Sequence, residues 1–296
     1  MHHGRPVSGE PLNADDHFVT GARVGDYTID RECSREGTGV IYQATHLLLP
    51  RKVHLKVLAG AWTRPLAVQL LREACLLEAL QHPGIPRVFE CGVLADRRPW
   101  VALERLDGLS LAASLETGVM PIADLVVLLR DVADTLTHAH ARGVVHAKLS
   151  ADTIIRTPER KLSVCLRGWS GARTVDATHH LDARDDVYAL GAVAFRALTG
   201  CLHTPSVSAT DWCPHAPAEL TALIDVMLDS SARVRPTSEE VRERASWLAT
   251  TIEPLEIGKP RWTPPNGLDR DTLQPLQPAR TTSSTFSIRI GRTITK

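Results

Sequence analysis

The sequence predicts an α+β protein built as two lobes, a small, mostly β lobe with one long helix followed by a larger, mostly α lobe. Three observations carry this. Residues 52–58 alternate, with Val53, Leu55 and Val57 set against His54 and Lys56, which is strand periodicity. The only strong helix pattern in the first hundred residues follows directly, with Leu66, Leu70, Ala74 and Leu77 along one face. Beyond residue 120 the signals are almost all helical.

Residues 1–24 are polar, contain Pro and Gly, and are expected to be disordered. Short strands are expected at 27–30 and 39–44 around a turn. Thr63 is placed to cap the long helix and Pro65 suits its first turn. Further strands are expected at 88–92 and 100–103. In the second lobe, 122–142 reads as an amphipathic helix ending at Gly143, and 186–199 as a helix with Gly200 as C-cap. Residues 220–228 form a short helix. Thr237 and Glu240 make a capping box for a last helix to about residue 249. The expected limits are about 25–104 for the small lobe and 105–252 for the large one. Residues 253–296 are rich in Pro, Ser and Thr and are expected to be a disordered tail. Within it, 285–291 alternates apolar and polar residues and could add as a strand to a sheet edge.

With 296 residues the chain can bury a sizeable core. Lys plus Arg equals Asp plus Glu at 34 each, so no global field draws it to nucleic acid. The longest apolar stretch, 187–202, contains Arg196 and breaks at Gly200, too short to span a bilayer. Six scattered cysteines without a C-x-x-C pair suit a reducing compartment, hence a cytoplasmic location, and give no support for a zinc site.

Eight motifs then fall in a familiar order. They are Gly39-Val40-Ile41-Tyr42-Gln43-Ala44, Lys56 at the end of Val53-His54-Leu55-Lys56, Glu73, His82-Pro83-Gly84-Ile85, Leu103 with Glu104, the run from His140 to His146, the run from Asp186 to Gly191, and Arg235-Pro236-Thr237. Over residues 25–250 the chain resembles the bacterial-type Ser/Thr protein kinases. The resemblance implies a two-lobed kinase-like fold, with Lys56 as the phosphate-holding lysine, Glu73 as its helix partner, Leu103 as gatekeeper and Glu104 opening the hinge. Gly39, Val40, Lys56, Glu73, Leu103 and Glu104 are thus the residual nucleotide-binding candidates.

The same resemblance shows what is missing. Phosphoryl transfer relies on positioning and electrostatics: one Asp orients the attacking hydroxyl, and a second Asp with an Asn holds the Mg²⁺ ions. Aligned to those positions stand Lys148, Leu166 and Thr153. An ammonium cannot accept a proton as a carboxylate does, and leucine offers a hard cation no oxygen. The stretch 161–175 contains no Asp or Glu, so no shift of register restores a ligand. Asp152 is the one carboxylate in the catalytic loop and reads as an exposed loop residue or local cap. The first two glycines of the phosphate loop are Ser34 and Glu36, and Ala147 replaces the arginine that reads a phosphorylated activation segment. Between Gly168 and Asp186 lie only seventeen residues, with no motif like A-P-E.

Two features stay open at this level. Lys56 and Glu73 are either remnants of a nucleotide clamp or an ion pair that docks the helix. His54, two residues before Lys56, either intrudes on the adenine position or turns to solvent. The chain is thus expected to be a degenerate kinase, with no catalytic residue and no metal. No cofactor is expected, although ATP without Mg²⁺ is possible. It would act as a regulator or scaffold on a protein partner, such as an active Ser/Thr kinase or that kinase's substrate. The rivals are a weakly active Ser/Thr kinase and a nucleotide-binding sensor without turnover.

Overall fold

The computed structural model describes residues 18–36, 39–60, 62–174 and 182–252. The expected tail strand at 285–291 lies outside them, as do residues 1–17 and 253–296 and part of the shortened segment before Asp186.

The small lobe is a six-stranded antiparallel sheet in the order β1-β2-β3-β4-β6-β5. Its strands are β1 (Arg23–Val24), β2 (Tyr27–Glu36), β3 (Gly39–His46), β4 (Lys52–Leu58), β5 (Val88–Val93) and β6 (Pro99–Glu104). Helix α1 (Arg64–Leu80) packs on one face. The alternation in β4 sorts its side chains. Val53, Leu55 and Val57 enter a core with Tyr27, Tyr42 and Trp100, while Leu58 joins Leu70, Ala74 and Val101 under α1. Phe18, Ala22 and Val24, inside the segment expected to precede the domain, pack onto this core; Val24 is buried and the Phe18 ring meets Tyr42 edge-on. Thr63 occupies the N-cap of α1, but its side chain makes no capping bond.

The large lobe contains α2 (Leu111–Leu115), α3 (Ile122–His140), α4 (Ala183–Thr199), α5 (Ala209–Trp212), α6 (Ala218–Met227) and α7 (Ser238–Thr251). The Thr237/Glu240 capping box forms in both directions at the start of α7. Gly200 ends α4 in the left-handed conformation, φ 76°, as its C-cap role requires. Between α3 and α4 the chain makes four short strands, β7 (Val144–Val145), β8 (Ile154–Arg156), β9 (Val164–Leu166) and β10 (Arg173–Thr174), plus one 3₁₀ turn at Trp169–Gly171. β7 pairs with β10 and β8 with β9, forming a shelf beneath the sheet.

Arg160 and Leu166 help to join the lobes behind the cleft. Arg160 bonds Glu104 Oε1 at 2.6 Å and the Pro83 carbonyl at 2.9 Å. The Leu166 N–H donates to the Gly84 carbonyl at 2.8 Å. A Cβ at Gly84 would lie 2.0 Å from Thr135 Oγ1, so this close approach suits glycine. No described helix is long and apolar enough to cross a membrane.

Candidate functional site

A cavity of about 470 Å³ opens between the sheet, α1 and the shelf. Lys56 enters it from β4. Its ammonium bonds Glu73 Oε2 of α1 at 2.8 Å, both side chains 7% exposed. The pair forms because α1 lies across the cleft face of β4, with Leu70, Ala74 and Leu77 buried along its inner side. Gln69, one turn earlier on α1, donates to the Ser170 carbonyl at 3.0 Å. Helix α1 is thus held from above by Lys56 and from below by the 3₁₀ turn.

Strand register decides which β3 residues see the cavity. Val40 pairs with Val57, Ile41 with Lys56. Directly opposed residues share a face of the sheet. Val40 therefore lies in the core with Val57 and does not reach the cleft, contrary to the sequence expectation; Ile41 takes that face instead. Gly39 does line the cavity. Leu103 packs against the cluster behind Lys56 and is not part of the cavity wall. Glu104 turns its carboxylate to Arg160 and to the Arg87 N–H. His54 keeps the face of Lys56 and is half-buried. Burial, and then the charges of Arg105 and Arg167, lower its pKa.

The loop from His146 to Thr153 is held by α4. Asp186, 1% exposed, accepts the backbone N–H of His146 and of Ala147 at 2.8 Å each, and bonds His140 Nε2 at 2.9 Å. These bonds hold Ala147 at φ 60°, a left-handed conformation unusual for a residue with a Cβ. His146 is fully buried, with Nε2 on the Arg167 carbonyl and Nδ1 accepting from the Lys148 N–H. Burial pushes its pKa down. The Trp169 ring packs against it at a tilt of 60°, centroids 4.6 Å apart, and donates to the Leu166 carbonyl.

This frame sends Lys148 and Leu166 in opposite directions. Lys148 is exposed and lines the cavity. Its stem lies across Gly171, where an added Cβ would meet Lys148 Cγ and Cδ at 2.6 Å. Leu166 is 0% exposed and belongs to the core. Thr153 lines the cavity, but its hydroxyl is engaged by Ser150 through the N–H at 2.9 Å and the carbonyl at 3.0 Å.

Asp152, an exposed turn residue as expected, also borders the cavity. Arg167, a further wall residue, bonds the Asp152 carbonyl. Neither was legible as a site residue, because each faces the cavity only through the pairing of β8 with β9. Among the described residues no group of three His, Cys, Asp or Glu is placed to hold a metal ion.

Residues 34–198 match the family described as protein tyrosine and serine/threonine kinase. The chain belongs to this family. Similar proteins include the serine/threonine-protein kinase PknJ of Mycobacterium tuberculosis, 28% identical over 261 residues, covering 74% of this chain and 44% of PknJ. Serine/threonine-protein kinase Pkn1 of Myxococcus xanthus is 32% identical over 224 residues, covering 67% of this chain and 32% of Pkn1. PknF of M. tuberculosis is 29% identical over 213 residues, covering 62% and 44%. This chain spans less than half the length of these relatives.

The two lobes are those of the protein-kinase fold. The residues at the metal positions do not fit Mg²⁺. One is a core leucine, and the other is a threonine whose hydroxyl is already engaged.

Proposed function

We propose that this kinase-family chain is a catalytically inactive regulator or scaffold that works by binding a protein, either an active Ser/Thr kinase or that kinase's substrate. One observation carries the reading. At the two positions where phosphoryl transfer needs carboxylates, the chain has an ammonium at the cavity wall and a leucine in the core. What remains is a rigid frame: α1 docked through Glu73, the hinge clasped by Arg160, and the loop held by Asp186. Such a frame suits presentation of a surface rather than turnover. Lys56 and Glu73 act in it as a docking pair. A cytoplasmic setting is part of the proposal.

The test is phosphate incorporation from labelled ATP with Mg²⁺ or Mn²⁺, using the full chain and a general protein substrate. Incorporation no higher than that of Lys56→Ala is the expected result.

A second reading, a weakly active Ser/Thr kinase, is favoured by Asp152, a carboxylate that shares the cavity with Lys56. The kinase names of the relatives lean the same way. Incorporation abolished by both Lys56→Ala and Asp152→Asn would replace inactivity with this reading.

A further inference from the structure

Three consecutive residues of the turn after α1 bond across to the large lobe. His82 Nε2 meets Asp134 Oδ2 of α3 at 3.3 Å, the Pro83 carbonyl accepts from Arg160, and the Gly84 carbonyl accepts from the Leu166 N–H. A second histidine joins them. His138 of α3 bonds the Leu80 carbonyl, at the end of α1, through Nε2, and its Nδ1 faces the Arg142 guanidinium at 3.2 Å. The His82 and His138 rings lie against one another, centroids 4.6 Å apart and tilted by 36°.

The partners fix the protons. A guanidinium and a backbone N–H only donate, and a carbonyl only accepts. His138 Nδ1, facing Arg142, and His82 Nδ1, accepting from the Gly84 N–H at 3.1 Å, are therefore bare. Each Nε2 carries the hydrogen, so both rings are neutral. A second proton has to go to an Nδ1 that is already in use. There it turns the Gly84 N–H away from His82, or meets the cation of Arg142, and it sets a charge against the neighbouring ring. The surrounding charges are mixed. Asp134 favours a charged His82 and Lys161 of the β8–β9 turn opposes it. From α7, Arg242 Nη1 approaches Asp134 at 3.6 Å and is itself bonded by Glu239. Burial, and then His138, outweigh Asp134 and lower the His82 pKa.

We infer that the His82–His138 pair is an acid-operated joint between α1 and α3, closed while both rings are neutral and released when either takes a second proton. Leu80 lies seven residues, about two helical turns, beyond Glu73. Release frees the C-terminal end of α1, while the Lys56–Glu73 and Gln69–Ser170 bonds hold the earlier turns. The joint acts on the position of α1, so it does not depend on whether the chain transfers phosphate.

The full chain is followed at about pH 7.5 and about pH 5.5 by NMR of the histidine rings and by hydrogen exchange corrected for the intrinsic chemical rate. At the upper pH both rings are expected as neutral Nε2–H tautomers. The folded pKa of His82 lies below the ordinary 6.5, so the joint is whole above about pH 6.5 and is lost as pH falls toward the folded value. One unit below 6.5, a ring held wholly neutral loses about tenfold in its closing equilibrium. Protection over residues 78–88 is expected to fall by about three- to tenfold, while α4 and α6 keep theirs. His82→Gln with His138→Gln puts an amide donor and acceptor in place of each ring and removes both titrating groups. Its protection over 78–88 is expected to be the same at both pH values. An Nδ1–H tautomer or a charged ring at the upper pH, a wild-type change under about twofold, a loss spread equally over α4 and α6, or the same local loss in the double variant overturns the inference. Should the double variant not fold, the ring spectra and the wild-type exchange decide by themselves.

Discussion

Replacing Leu166 by Asp restores the metal-ligand residue on paper, and the structure gives it a definite cost. Leu166 is 0% exposed, in a three-residue strand whose N–H already bonds Gly84. Truncating such a leucine costs about 2–5 kcal/mol. A carboxyl placed there without a cation partner adds roughly 1–3 kcal/mol even if it takes up a proton. The sum, about 3–8 kcal/mol, compares with a whole-domain stability of roughly 5–15 kcal/mol. Leu166→Asp is therefore expected to lose most of its folding free energy, read as a lowered urea midpoint at unchanged slope. Mg²⁺ in the buffer is expected to give no recovery. A loss under about 1 kcal/mol, or a midpoint that Mg²⁺ restores, would mean that the side chain turns into the cleft and finds a metal. The claim that the metal position has been absorbed into the core would then be wrong.

Breaking the Lys56–Glu73 pair from one side is expected to cost about 3–5 kcal/mol, whereas Lys56→Met with Glu73→Leu is expected to be near neutral; unfolding of the two single variants and the double checks this. Asp186→Ala leaves the His146 and Ala147 N–H groups without their acceptor and removes the bond to His140, an expected loss of about 3 kcal/mol or more in the same assay. Acid is expected to weaken the fold through His146. Its folded pKa is depressed below the ordinary 6.5 by burial, so its stabilising effect is fully present above about pH 6.5 and is lost as pH falls through the lower folded value. Protonating Nδ1 also removes the acceptor of the Lys148 N–H, so His146→Gln is expected to flatten the acid limb of a stability-against-pH curve.

Local chemistry by itself determined the limits of β4, the capping box at Thr237 and the left-handed stop at Gly200, because each depends on residues within one turn or one strand. The ordered motifs determined the family, and the missing aspartates at 148 and 166 are plain in the string of letters. Only tertiary structure decided where those positions point. β3 meets β4 in a register that sends Val40 to the core and Ile41 to the cleft, and a shift by one residue would exchange them. Thr63 has a capping residue's identity without a capping bond. Strands of two and three residues such as β7 to β10 have too few side chains to show a period, and exist because distant partners pair with them. Asp152 and Arg167 share a cavity for the same reason. A cleft wall is assembled from segments a hundred residues apart, and no single segment encodes the space between them.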